Sequence, residues 1–334
     1  TIKNAKSYND NLEKNLVEST REIIIRDLPD EVIDISIDEI KEFIDHQVDS
    51  EKPEEVDLSK VDDEALKLSE YNLMSEDGSK VFKNYDGEKY KIKDKKLGSI
   101  ISSVTQIKKL REVRVLKGYT RFHYPKEHSV NESDQRLPFL PGYEVFGEGM
   151  FIQFDTQAIK KWESNSSSQI KSRLTDMQIR QEQTSASLPF PSAKFVALHT
   201  FAHLLIKQLC FESGYAAASI RERLYVNDGE MSGILIYTAD ADSEGSLGGL
   251  VRMSDEKRLV HSILSMIESA KWCSSDPTCI DIGSPGTRGL NKAACHACSL
   301  IAETSCAYMN SLLDRGLLIG SEKENIKGLF KDLI

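Results

Sequence analysis

The chain is 334 residues long, 40% hydrophobic and 29% charged, with a formal net charge of −10, a globular composition with room for about two domains. No apolar run approaches the roughly 20 residues that a helix needs to cross a bilayer, and the opening Thr1-Ile2-Lys3-Asn4-Ala5-Lys6 holds no apolar signal core. No membrane association, a cytoplasmic location and reduced thiols are therefore expected, and the absence of an initiator Met suggests a fragment or a start not included.

Residues 1–65 are polar, acidic and poor in aromatics. Ile37, Ile40, Phe43 and Ile44 share a face and predict a short helix over Ile37–Val48, the rest reading as a solvated insertion or linker. Residues 66–90 read as a short helix followed by a turn at Asp86-Gly87. In 100–121, Ile107, Leu110 and Val113–Leu116 would line one side of a helix that Lys117-Gly118 stops. Leu140–Asp155 reads as β structure with glycine turns, and 156–183 as helix interrupted at Ser164–Ser168. A long apolar helix follows at Ala193–Cys210, with Leu198, Phe201, Leu205 and Leu209 on its buried face. Ile220–Val226 and Gly233–Ala239 look like paired strands, Gly245–Gly249 like a glycine-rich loop, and Leu259–Ile267 like a helix leading into Cys273. No internal repeat is visible. The fold expected is α+β: a mixed α/β C-terminal domain with a cysteine-rich zinc site, preceded by a mostly helical or irregular N-terminal region. The segments are an acidic 1–90, a basic helix plus β region at 91–190, and a zinc-binding domain at 191–334.

Charge is unevenly spread. Residues 89–126 hold twelve Lys and Arg against Asp94 and Glu112, a net of +10, which leaves −20 for the remainder; residues 27–64 alone hold sixteen acids against three lysines. A basic segment in an acidic chain suits polyanion binding at one place. Tyr90, Tyr119, Phe122, His123 and Tyr124 lie among those cations, a mixture that suits single-stranded nucleic acid, where bases stack and phosphates pair. Lys108, Lys109, Arg111, Arg114, Lys117 and Arg121 are the candidate contacts; the alternative is a solvated helix face.

The strongest motif is cysteine. Five of the six cysteines fall within 34 residues: Cys273 and Cys279 as C-x5-C, Cys295 and Cys298 as C-x2-C, then Cys306. Four thiolates close a tetrahedral zinc site, and a C-x2-C knuckle is a common way to supply two of them. Cys273, Cys279, Cys295 and Cys298 are the expected ligands of a structural zinc, with Cys306 or His296 as a substitute for one. Four sulfurs would saturate the metal and leave no hydrolytic water.

Other motifs are weaker. His199 and His203 have the spacing of a zincin helix, but Thr200 stands where the catalytic Glu belongs. Asp240–Gly245 opens like a calcium loop, but Val251 occupies the twelfth position. The glycines at 245, 248 and 249 could let backbone approach a phosphate, although a loop needing positive φ is the commoner reason for them. No G-x4-G-K-[ST] or G-x-S-x-G occurs, which argues against an ordinary P-loop motor or a hydrolase elbow.

Taken together, the phrases KLREVRVLKGYTRF, LPGYEVFGEGMFIQFD, ALHTFAHLLIKQL, ASIRERLYV, GILIYTADADSEGSLGGL and AACHACSLIAETSCAYMNSLLDRGLL resemble DrmB, the helicase-associated, zinc-binding-domain subunit of DISARM anti-phage systems. The resemblance covers about 100–318; before it only Leu66–Met74 is suggestive, and the relatives are longer. It implies a helicase partner (DrmA-like) that supplies ATP hydrolysis, DNA as the shared ligand, and zinc on Cys273, Cys279, Cys295 and Cys298, with Cys306 also on a family cysteine. It supplies no catalytic residue. The function expected is a non-catalytic accessory subunit that docks on a helicase and helps hold DNA. Two alternatives stand beside it: a metal-dependent nuclease or phosphodiesterase using His199, His203, Asp240, Asp242 and Glu244, and a purely structural interaction module.

Overall fold

A computed structural model describes residues 63–333 apart from 77, 83, 84, 117, 122, 123, 130–140, 166, 185–187, 230, 241–247 and 283–288. The acidic stretch and the helix expected at Ile37–Val48 lie outside the described residues.

A helix, α1 (Asp63–Ser75), leads into β1 (Ser79–Phe82), β2 (Tyr85–Tyr90) and the long β3 (Ile101–Val115). A short pair, β4 (Gly118–Arg121) and β5 (Tyr124–Ser129), precedes β6 (Gly142–Phe154). Helices α2 (Thr156–Asn165), α3 (Ser167–Glu182) and α4 (Ala193–Ser213) follow, then β7 (Ile220–Val226) and β8 (Ser232–Asp240). Short α5 (Gly249–Met253), α6 (Glu256–Ala270) and one-turn α7 (Gly316–Ile319) complete the α-helices described. Six strands form one antiparallel sheet in the order β1-β2-β3-β6-β8-β7. The antiparallel sheet with its helices is the α+β fold expected. Among the described residues, no helix is long and apolar enough to cross a membrane.

The helix expected in 100–121 is instead strand β3, and the reason lies in its spacing. Ile101, Val104, Ile107 and Leu110 recur every three residues, which imitates a helical stripe. In β3 the register shifts between Ile101 and Ser103 and again between Ile107 and Leu110. These irregularities absorb the odd spacings, so Ile101 and Val104 share one core while Ile107 and Leu110 share the other.

Strands β6, β7 and β8 pair with one another in regular alternation. Met150, Ile152, Ile220, Leu224, Ile234 and Ile236 pack toward α4. Phe151, Tyr225, Leu235 and Tyr237 face the opposite side, where Tyr71 and Met74 of α1 cover them. Phe151 meets Tyr71 and Tyr225 edge-on, with centroids 5.6 and 5.8 Å away, the arrangement favoured by ring quadrupoles.

Helix α4 starts where the Ser192 hydroxyl accepts the Phe195 amide at 3.1 Å and stops at left-handed Gly214. Every residue from Lys194 to Ile206 is buried, so this part of the helix is enclosed rather than one-sided, while the last turn reaches solvent at Phe211. Its polar side chains are therefore obliged to find partners. Lys194 donates to the Asn227 carbonyl, and Thr200 donates to Val196 O while accepting the Asp314 amide at 2.8 Å.

A buried ion pair ties α3 to the C-terminal segment. Arg173 donates twice to Asp314, at 2.6 and 2.8 Å, with both side chains essentially inaccessible. Breaking one half of such a pair leaves a buried charge uncompensated. Arg173→Met should therefore lower stability by about 3–5 kcal/mol in denaturant unfolding, and adding Asp314→Asn should recover part of that loss.

Candidate metal centre

The four cysteines singled out in the sequence converge. Cys273 follows the end of α6; Cys279 lies in the turn of π-helical geometry at Thr278–Ile282. Cys295 and Cys298 form a knuckle in which the Cys298 and Ser299 amides donate to the Cys295 carbonyl at 3.2 and 2.9 Å. The sulfur separations are 3.5 Å for 273–295, 3.8 Å for 279–298 and 3.7 Å for 295–298. A tetrahedron of zinc–sulfur bonds of about 2.3 Å has edges of about 3.8 Å, so the spacing fits a metal-sized centre. The residues present thus suit a structural zinc.

The local chemistry agrees. Ser275 N donates to Cys273 Sγ at 3.4 Å and Cys295 N to Cys298 Sγ at 3.3 Å, bonds that a thiolate accepts. The bond from the Cys279 thiol, helped by the Ser299 hydroxyl, pulls Cys298 down to about 4, and the same bond pushes Cys279 up. A divalent cation bound by the four sulfurs would take the place of the thiol protons and ionise the set. The loop that carries Cys273 is tied by a pair that the sequence reading did not single out. Asp276 accepts the Cys273 amide at 2.8 Å and pairs with buried Arg315 at 2.7 and 3.0 Å, while Arg315 also donates to Ala270 O at the end of α6.

The two substitute ligands sit elsewhere. His296 is exposed at the knuckle, and its carbonyl takes a hydrogen bond from Lys207. Cys306 is buried 3.4 Å from His199 Nε2, outside the four-sulfur group. His199 and His203 are fully buried and meet Glu222 of β7, at 2.9 and 3.4 Å. Burial pushes the His199 imidazole toward its neutral form against the pull of that carboxylate. Asp242 and Glu244 of the nuclease alternative lie outside the described residues, and nothing is described of the Asp240 side chain. Glu222 was missed in the sequence, although the signal was there: strand alternation places it with Ile220 and Leu224 on the apolar side.

The glycine loop approaches an anion, and that anion is the protein's own. Glu148, with no exposed surface, accepts the amides of Gly248 and Leu250 and the Tyr215 hydroxyl. Gly248 has φ of +126°, a conformation that a side chain would strain. The carboxylate thus occupies the place where a phosphate would have to bind.

The candidate nucleic-acid residues fall on the outer half of β3 and beyond. Lys109 lies 5.3 Å over the Phe146 ring, and Arg111, cross-strand from Phe146, pairs with Glu144. Arg114 is three residues on, hence on the opposite face; it pairs with Glu112 at 2.9 Å and lies 5.8 Å over the Tyr143 ring. Lys108 pairs with Glu88 at 3.0 Å. Lys117 and the side chain of Arg121 are outside the described residues.

Zinc uptake displaces thiol protons, so affinity should fall as pH drops. Cys298→Ala should lower zinc content by about one equivalent per chain. Trp272, beside Cys273 and 71% exposed, should report the same event: in a Trp162→Phe background its emission shifts on chelation and recovers when zinc is restored.

Comparison with known proteins agrees with this geometry. Residues 201–299, from the middle of α4 to the knuckle, match the family model described as the MrfA Zn-binding domain. The chain is also 40% identical over 243 residues to the DISARM protein DrmB of Bacillus paralicheniformis, an alignment covering 69% of this chain and 43% of the relative. The chain therefore spans less than half the length of that relative. The resemblance read from the sequence phrases is shown to this extent: residues 201–299 match the MrfA Zn-binding domain, and 69% of the chain is similar to DrmB.

Proposed function

We propose that the chain acts as a non-motor accessory subunit of an anti-phage defence complex in the cytoplasm, docking on a DrmA-like helicase partner and helping to hold DNA. The observation that carries this reading is the four-cysteine centre within the region matched by the MrfA Zn-binding domain, in a chain similar to DrmB. Cys273, Cys279, Cys295 and Cys298 hold a structural zinc that stiffens loops on the surface of an otherwise close-packed domain. The metal, saturated by sulfur, provides shape rather than chemistry. ATP hydrolysis belongs to the partner.

DNA contact falls on the outer ribbon of β3 and β6. Lys109 and Arg111 share a face with exposed Val113, Val115 and Phe146, which combines phosphate-pairing cations with apolar surface for bases. Lys108, Arg114, Lys117 and Arg121 are secondary contacts. The test is DNA affinity against salt for the chain together with its helicase partner. The double variant Lys109→Glu/Arg111→Glu should weaken binding at low salt and flatten the salt slope by about one to two. Arg111 also gives up its pair with Glu144, but an exposed pair contributes at most about 1 kcal/mol to stability. Unchanged affinity and slope would remove the ribbon from the DNA path.

A second reading, an interaction module without DNA contact, is favoured by the pairing of Lys108, Arg111 and Arg114 with Glu88, Glu144 and Glu112. Those acids already answer part of the positive charge that the sequence leaves conspicuous. The nuclease reading is disfavoured because His199, His203 and Glu222 have no exposed side-chain surface for a phosphodiester to approach.

A further inference from the structure

From the convergence of His199, His203, Glu222 and Cys306, we infer a second metal site, buried beneath the sheet and separate from the four-cysteine centre. The inference does not depend on the DNA or helicase reading. The two imidazoles come from one face of α4, the carboxylate from the α4-facing side of β7, and the thiol from the loop after the cysteine knuckle. One ligand atom from each lies within 4.8 Å of the others, and all four residues are buried.

The hydrogen bond of His203 dictates which of its ring nitrogens carries the lone pair. His203 Nδ1 lies 3.0 Å from the Ser299 carbonyl, which can only accept. Its proton is therefore on Nδ1, and in the neutral ring Nε2 bears a lone pair. That Nε2 lies 3.4 Å from Glu222 Oε1, without a hydrogen bond. With that ring neutral, two acceptors face each other in a buried site, and Glu222 Oε2 is also without a hydrogen-bond partner. A cation between them turns the repulsion into ligation. A backbone carbonyl fixing Nδ1–H so that Nε2 points inward is the usual way in which proteins orient a metal-binding imidazole.

Cys306 is set up for the same role. Its Sγ accepts the backbone amides of Tyr308 and Asn310, each at 3.3 Å, as Cys273 and Cys298 accept amides in the four-sulfur centre. The turn is enforced. Met309 and Asn310 have φ of 52° and 54° although neither is glycine, and the Asn310 side chain closes the loop by accepting Ile301 N and donating to Ile301 O, both at 3.0 Å. Such strain persists only where the surroundings overdetermine it.

The ligand set selects the ion. Two neutral imidazoles, one carboxylate and one thiolate balance a divalent cation, leaving no net charge in the buried site. Cys306 loses its thiol proton to solvent on binding. Imidazole with thiolate in fourfold coordination suits zinc, with cobalt as its spectroscopic substitute. A cavity of about 440 Å³, lined by Arg221, Glu222, Tyr237, Cys306 and Tyr308 among others, borders the site on its Cys306 side.

Metal analysis of the desalted chain tests the proposal. Two zinc equivalents are expected. Cys298→Ser should remove one and keep the other; Cys306→Ser and His203→Gln should each remove the second and keep the first. Because substitutions at buried positions can impair folding, wild-type protein reconstituted with cobalt provides a readout without mutation. Its absorption should resolve a four-sulfur centre and a centre with one sulfur ligand, the second lost in Cys306→Ser. A single equivalent in wild type, abolished by Cys298→Ser and insensitive to Cys306→Ser, with a purely four-sulfur cobalt spectrum, would overturn the second site and leave a proton-bridged histidine–glutamate cluster. Neither result bears on the salt dependence of DNA binding, so this inference and the DNA reading fail independently.

Discussion

The enclosure of α4 is the constraint on which the rest depends. A helix with one wet face can leave its polar side chains to water; this one cannot. From Lys194 to Ile206 every residue is buried, so each polar side chain there needs a partner, and each partner on another element locates that element. Lys194 holds the turn after β7 through Asn227, and His199 holds β7 itself through Glu222. Thr200 takes the Asp314 amide, and His203 takes the carbonyl of Ser299, next to Cys298. Sheet, knuckle and C-terminal segment are thus registered against one helix.

The segment Asp314-Arg315 shows how this registration reaches the metal centre. Asp314 is pinned by Thr200 and Arg173; the next residue, Arg315, turns the other way and clamps Asp276, which in turn receives the Cys273 amide. Two adjacent opposite charges therefore connect the helical layer to the cysteine loop. Buried charges are costly unless paired and hydrogen-bonded, and here the pairing also determines where a sulfur sits. This gives the four-cysteine centre a defined position on the domain.

Glu148 illustrates a different use of a buried carboxylate. It meets the amides at the start of α5, where an external anion would bind, and Gly248 permits the approach. A glycine-rich loop followed by a helix suggests phosphate only when no internal acid reaches it. Glycine spacing cannot reveal such an acid 100 residues earlier in the chain.

Much of the architecture was legible in the sequence: β6, α4, the β7–β8 pair, α6 and the four-cysteine group. These depend on local period, on caps and on short spacings, which neighbouring residues alone specify. Tertiary structure decided the remainder. The threefold recurrence of Ile101, Val104, Ile107 and Leu110 becomes a strand only because irregularities against β6 reset its phase. Arg111 and Arg114, three residues apart in an unbroken stretch of register, part to opposite faces because strand side chains alternate. Cys306 stands apart from the four grouped sulfurs, among the histidines of α4 and the carboxylate of β7. Partners from distant parts of the chain are chosen by burial and charge compensation, and spacing along the chain does not encode them.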